Sequence, residues 1–200
     1  NFTELDYKSI VNKTLSDDDS KYYRATVKDV ISEYKDNFYM VYNRNGVDVK
    51  QIEMYCDNLR KSGIIIDDIY IDYLTLLNSM DDHKKSDVEK FMALPKEVRQ
   101  LSQKTHTRVF SAGQLDVSAV QKEIEEISLD DMHYVKNALS QEATNVLFLG
   151  LDTNTRKLKI KHLLGRNGMN LEIYEFPTYD YNKVYLGDDR VAIKEEIDGF

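Results

Sequence analysis

The chain has 200 residues, with 27 basic and 35 acidic side chains and a formal net charge of −8. That balance repels polyphosphate over most of the surface, so it excludes a histone-like or polybasic binder and confines any nucleic-acid contact to a local patch or a partner subunit. At roughly 150 residues per domain the length fits one full domain rather than two large ones, and 8 Gly and 2 Pro beside a hydrophobic share of 42% describe a globular chain with a core.

The single cysteine, Cys56, excludes an internal disulfide framework and a cysteine-rich zinc site, and reads as a small core residue. No apolar run approaches the roughly 18 residues that span a bilayer. Asn1-Phe2-Thr3-Glu4 has neither a basic start nor an apolar signal core and does not begin with Met, which leads us to expect a fragment of something longer. In Leu15-Ser16-Asp17-Asp18-Asp19, Ser16 can cap a helix whose first turn carries three carboxylates at the positive end of its dipole. Behind it Tyr23, Val27, Val30, Ile31 and Tyr34 recur at helical spacing, predicting an amphipathic helix over 16–35. Phe38-Tyr39-Met40-Val41-Tyr42 is a short β-prone run, ended by the turn signal Asn43-Arg44-Asn45-Gly46. Asp48 then caps a helix with Val49, Ile52, Cys56 and Leu59 on its apolar face and Gly63 as its stop.

From Ile64 to Leu74 the apolar, β-branched run lacks alternation, which predicts a strand buried on both faces of a parallel sheet; Asp67 and Asp68 read as solvated residues ahead of it. Ser86-Asp87-Val88-Glu89 is a capping box opening a helix with Val88, Phe91, Met92, Val98 and Leu101 inside, which Pro95 should kink or restart. A strand at 108–112 follows, then Gly113-Gln114. The stretch 117–140 is polar and helical in two pieces, with a cap signal at Ser128. Strands are expected at 145–149, 157–164 and 170–176, the last two separated by Gly165-Arg166-Asn167-Gly168. Strand and helix alternate as in an α/β domain, finishing in an antiparallel edge, and the tail from Tyr179 onward is charged.

Asp72 closes a run of apolar residues. A carboxylate there either caps the following loop or serves a ligand at the C-terminal end of the strand, where open α/β sheets bind theirs and where nucleotide hydrolases hold Mg²⁺. Gln114 ends the next strand on the same rim: it is an exposed turn residue, or it hydrogen-bonds a γ-phosphate or orients water without adding negative charge. Arg166, between two glycines in a turn, is a surface hairpin residue or a guanidinium projected toward a phosphate on a neighbouring subunit. Two polar loops carry modest positive charge, His83, Lys84 and Lys85 in one and Ser118, Gln121 and Lys122 in the other; they could touch a nucleic-acid backbone or be merely solvated. His106, His133 and His162 show no metal-ligand spacing with one another or with Cys56, no nucleophile-elbow motif occurs, and the sequence contains no G-x-x-x-x-G-K-S/T.

Asp68-Ile69-Tyr70-Ile71-Asp72-Tyr73-Leu74, Val109-Phe110-Ser111-Ala112-Gly113-Gln114-Leu115, the segment Ala138 to Phe148 and Gly165-Arg166-Asn167-Gly168, in that order, resemble motifs of the RecA-like C-terminal domain of DnaB-type hexameric replicative helicases, especially the bacteriophage branch. The resemblance covers roughly residues 10–177. It implies a RecA-like α/β fold, a mostly parallel sheet flanked by helices with an antiparallel C-terminal edge, present here as a partial domain: 1–178 would be the C-terminal portion of the ATPase domain and 179–200 a charged tail. It further implies ATP-driven unwinding of DNA, with ATP and Mg²⁺ as cofactors, single-stranded DNA as partner, a homo-hexameric ring with nucleotide sites between subunits, primase and a helicase loader as possible partners, and a cytoplasmic setting, that of the host cell for a phage protein. By the same resemblance Asp72 would bind Mg²⁺. Gln114 would sense the γ-phosphate and relay its state to the loop at 115–122, and Arg166 would be the finger acting on the neighbour's nucleotide. Family members often carry a Lys two residues before the finger; here that place is Leu164, and Lys161 could substitute if the hairpin is shifted. The phosphate loop and the catalytic Glu after it are expected ahead of residue 1, which would leave this portion inactive alone. A strand-exchange recombinase and a non-catalytic RecA-like scaffold or loader-binding protein are the rival readings.

Overall fold

A computed structural model of the chain describes residues 5–78, 86–119, 122–132, 136–152, 157–166, 173–176, 178–180 and 185–187, together with Thr155. The chain divides into two compact units, one of residues 1–42, 149–160 and 174–200, the other of 43–148 and 161–173.

In the first unit, α1 (Tyr7–Val11) opens on Asp6, whose carboxylate accepts from the Ser9 N–H at 2.9 Å. Helix α2 (Asp17–Tyr34) starts where the cap signal puts it, with Ser16 Oγ accepting from Asp19 N–H at 3.1 Å and three Asp in the first turn. Its expected apolar face is not buried: no residue of α2 is, and Ile31 and Tyr34 stand exposed. Residues 38–42, expected as a strand, form none. A β-prone run becomes a strand only when a neighbour accepts its hydrogen bonds, and among the described residues no strand pairs with it.

The second unit begins with a turn in which Gly46, at φ +75°, donates to Asn43 C=O at 3.1 Å. Asp48 then caps α3 (Val49–Lys61), and Gln51 reaches back to the Asp48 N–H at 3.0 Å to complete a capping box. Cys56 is buried, as a small core residue should be. The run after Gly63 yields a strand only over β1 (Asp68–Ile71), shorter than the apolar stretch promised. Helix α4 (Asp87–Thr105) has the predicted capping box of Ser86 and Glu89. It continues through Pro95 to Thr105 without restarting, although proline withholds a donor there. Of its expected interior residues Leu101 is buried while Val88 and Met92 face solvent; Leu94, not among those expected, is fully buried. No glycine ends the helix; His106 takes the left-handed conformation at φ +56° instead. Strand β2 (Arg108–Ser111) follows.

β1 and β2 pair in parallel, Asp68 opposite Arg108 through Ile71 opposite Ser111, with α4 as the crossover between them. Val49, Leu74, Leu77, Leu94 and Leu101 form the buried core, packed by Ile52, Ile69, Ile71, Phe91, Val98, Val109 and Leu139. Burying each such side chain contributes about 1.5–3 kcal/mol. One face of the strand pair is therefore apolar and covered. The other is not: Tyr70 is 71% exposed and stacks on Phe110 with ring centroids 5.0 Å apart. This corrects the expectation of a strand buried on both faces. Asp68 is likewise not a solvated residue ahead of the strand. It opens β1 and binds Arg108 in a fork at 2.6 and 2.9 Å, which fixes the register of the pair.

Three 3-10 turns, Val117–Ala119, Ile124–Glu126 and Leu129–Asp131, occupy the stretch expected as helix in two pieces, and only its end forms α5 (Lys136–Glu142). Strands β3 (Asn145–Leu151) and β4 (Leu158–Gly165) make a hairpin, closed at one end by Arg166 N–H on Thr144 C=O at 3.1 Å and at the other by Asp152 N–H on Lys157 C=O at 2.9 Å. β5 (Ile173–Glu175) adds to β4, and β6 (Thr178–Asp180) pairs antiparallel with β7 (Tyr185–Gly187). The α/β class with an antiparallel end is as the sequence implies; the parallel part holds two strands among the described residues. No helix of the described residues is long and apolar enough to cross a membrane.

Candidate nucleotide-facing rim and finger hairpin

Because β1 and β2 are parallel neighbours, their C-terminal ends open on the same edge of the unit. Asp72 follows Ile71 directly. Gln114 comes three residues after Ser111, the partner of Ile71, and both polar side chains are exposed. The strands stay joined beyond their formal ends: Ser111 Oγ donates to Ile71 C=O at 2.9 Å and Leu74 N–H to Ala112 C=O at 3.1 Å. Such an edge is where α/β sheets take their ligands. The donor set suits Mg²⁺, which is commonly held by one or two carboxylates with water and substrate phosphate oxygens completing its shell. Asp72 supplies one exposed carboxylate. Among the described residues no group of three or more His, Cys, Asp or Glu is gathered that could enclose a metal by protein ligands alone.

The segment after Gln114 folds back on itself. Leu115 bridges to Met132, and Asp116 N–H donates to Asp131 C=O at 2.9 Å. The buried Asp131 carboxylate accepts from Lys122 Nζ at 2.6 Å and from Ser128 N–H at 2.9 Å. Lys122 and the Ser128 amide hold the Asp131 carboxyl below its ordinary range, and Asp131 in turn holds the Lys122 ammonium above its own. Ser118 is exposed on this loop. Lys122, expected to face a nucleic-acid backbone, is engaged with Asp131. Gln121, His83, Lys84 and Lys85 lie outside the described residues.

Arg166 follows the last residue of β4. Its guanidinium folds onto the C-terminus of α5: Nε donates to Ala143 C=O at 2.8 Å and Nη2 to Ser140 C=O at 3.0 Å, with Gln141 C=O as a further acceptor. Arg99 of α4 reaches the same helix end, donating to Gln141 C=O at 3.4 Å and to the Glu142 carboxylate at 3.2 Å. Two cations thus answer the unsatisfied carbonyls and partial negative charge of a helix C-terminus. Lys161, in the middle of β4, donates to Glu125 C=O at 2.5 Å and Ile127 C=O at 2.8 Å.

The family described as DnaB-like helicase C terminal domain matches residues 1–173. The chain belongs to that family. Among solved structures, one described as an ATPase domain superposes with a TM-score of 0.75 at 16% identity, covering 94% of this chain and 67% of that one. A DnaB-like replicative helicase, described together with its interactions with primase, superposes with the same TM-score and identity over 94% of this chain and 46% of its own length. These neighbours establish the RecA-like fold. No curated protein matches the chain.

Within this DnaB-like domain, Asp72 and Gln114 follow adjacent strands on one rim, and Arg166 caps the C-terminus of α5. Three residues were not singled out from sequence: Asp131, Arg99 and, in its role at the loop carbonyls, Lys161. Asp131 had a legible signal, since Ser128-Leu129-Asp130-Asp131 has the spacing of a capping box, and the box is formed. Arg99 and Lys161 bind backbone carbonyls, which every residue type carries.

Proposed function

We propose that this chain is part of an ATP-dependent replicative DNA helicase that works as a hexameric ring, moving along single-stranded DNA to unwind duplex. The observation that carries this reading is the juxtaposition of Asp72 and Gln114 at the shared C-terminal edge of the parallel pair β1–β2. Asp72 would hold Mg²⁺ there. The ion, when bound, supplies neutralisation of charge on the nucleotide's phosphate oxygens. Gln114 can donate or accept at a phosphate or a water without adding negative charge, and its backbone continues into the pinned loop 115–132. Arg166 would serve a nucleotide held by the adjacent subunit, where a planar guanidinium meets phosphate oxygens through two parallel hydrogen bonds. The loop 115–122, through Ser118 and Gln121 and with Lys122 committed to Asp131, and the loop of His83, Lys84 and Lys85 would meet the DNA backbone. Primase or a helicase loader would be further partners of the ring.

The test is made on the intact protein that carries this chain. ATP hydrolysis stimulated by single-stranded DNA and unwinding of a forked duplex are both expected for the wild type, and both should be lost with Arg166→Ala. Wild-type hydrolysis by Arg166→Ala with DNA present would overturn the finger assignment, and strand exchange without unwinding would place the chain among recombinases.

A further inference from the structure

We propose that Lys161 is a positioning residue that ties the loop following Gln114 to the strand leading into Arg166, so that the two move as one piece. The inference rests on the roles given above to Gln114 and Arg166.

Lys161 Nζ bonds two backbone carbonyls of the same turn, Glu125 at 2.5 Å and Ile127 at 2.8 Å. Charge-assisted bonds to carbonyls are stronger than neutral ones, and two from one ammonium fix a turn in position as well as in orientation. The turn is firmly seated, since the Ile127 side chain is 2% exposed. At its other end the loop is closed toward Gln114 by the Leu115–Met132 bridge, by Asp116 N–H on Asp131 C=O and by the Lys122–Asp131 pair. Beyond Lys161, β4 runs to Gly165 and places Arg166 on α5, the helix that follows the loop in the chain. Loop, helix and strand form a closed circuit, with Lys161 as the side-chain bridge from β4 to the 124–127 turn. A displacement of the loop when Gln114 changes partners therefore cannot stop at residue 132; it is drawn through Lys161 onto β4 and reaches Arg166, about 17 Å further along at the rise of a strand. The nucleotide state read at one subunit's rim would set how Arg166 is presented to the next subunit's nucleotide. This role differs from direct nucleotide contact, because the Lys161 ammonium is engaged with the loop.

In the intact protein, Lys161→Met removes both bonds at nearly constant side-chain length. It is expected to lower DNA-stimulated kcat by about tenfold or more, with KM for ATP within about twofold of wild type, and to speed amide hydrogen exchange over residues 123–128. Lys161→Arg, which can still reach both carbonyls, should restore most of the kcat. If the apolar variant does not fold, Lys161→Gln, which keeps a donor, is read in the same assays and should show a smaller loss of the same kind. Wild-type stimulation by DNA in the folded Met or Gln variant overturns the proposal. So does a raised KM with unchanged kcat, which would return Lys161 to nucleotide binding. Arg166→Ala is run alongside: if it hydrolyses ATP normally the finger reading falls, whereas its failure beside a normal Lys161→Met defeats this proposal alone.

Discussion

Arg166 donates to the carbonyl of Ser140 at 3.0 Å, so the proposed finger of this domain is also the C-terminal cap of one of its own helices. The carbonyls of Ser140, Gln141 and Ala143 at the end of α5 take the Nε and Nη2 donors of the guanidinium. Presenting that Nε–Nη2 edge as a fork to a phosphate on the next subunit requires the side chain to leave the helix end, with Arg99 remaining on Gln141 and Glu142 to keep that end satisfied. Arg166→Ala should therefore have two separable effects. The helix cap, exposed and partly duplicated by Arg99, should cost about 1 kcal/mol of stability, whereas loss of an arginine finger lowers kcat by on the order of a thousandfold. Arg166→Lys should recover part of the cap and little of the turnover, since an ammonium lacks the planar fork. Thermal unfolding and ATP turnover of the intact protein measure the two effects independently.

Asp72→Asn keeps the size of the side chain and removes its charge. Exposed positions away from caps and cores usually change stability by no more than about 0.5 kcal/mol, so the fold should be unaffected. A metal that prefers charged oxygen ligands will be held less well. The concentration of Mg²⁺ giving half-maximal ATP hydrolysis should rise by about tenfold or more, the equivalent of about 1.4 kcal/mol or more in binding. An unchanged Mg²⁺ titration would mean that Asp72 only caps the loop after β1.

Caps were the most legible features of the chain. Ser16, Asp48, Ser86 and Ser128 each act on an amide within three residues, so the sequence window that shows the signal contains the whole interaction. Strands were less legible for the opposite reason. The run 38–42 has the same kind of residues as β1, but a strand is completed by hydrogen bonds from elsewhere in the chain, and only β1 finds such a neighbour. The two-faced burial expected of β1 failed on the same ground: apolar residue types show what could be buried, whereas Tyr70 depends on what packs over it. At the site, Asp72 and Gln114 could be located because they punctuate the ends of strands. The seat of Arg166 on α5 and of Lys161 on the 124–127 turn could not, since their acceptors are main-chain carbonyls that leave no mark on sequence.

Leu94 shows how much of the second unit depends on one position of α4. It is fully buried and belongs to the cluster of Val49, Leu74, Leu77 and Leu101 that seats α3 and the β1–β2 pair. Leu94→Ala removes apolar contact and leaves a cavity that the surrounding helices can fill only in part. The expected loss is about 2–5 kcal/mol, read as a lower urea midpoint with an unchanged slope. Ile65→Ala provides the contrast. That side chain is 82% exposed, and its loss should shift the midpoint little.

The Lys122–Asp131 pair makes the loop after Gln114 sensitive to acid in a defined direction. Asp131 has its carboxyl held below the ordinary value, so it contributes stability that is fully present above the unfolded carboxylate range and is lost as pH falls through the lower folded value. Lys122 is held above its ordinary value, so its contribution is complete below the unfolded lysine range and disappears only as strongly alkaline solution is reached. Between about pH 4 and pH 10 both partners keep their charge and the loop stays closed on Met132. Asp131→Asn should lower the melting temperature throughout that interval, because the buried position then offers Lys122 and Ser128 a weaker acceptor. It should also flatten the acid limb, since the group that titrates there is gone. Melting curves of the wild type and the variant from pH 7 down to pH 3 should converge as the acid removes from the native protein what the substitution has already removed, and parallel curves would show that Asp131 is not the group responsible.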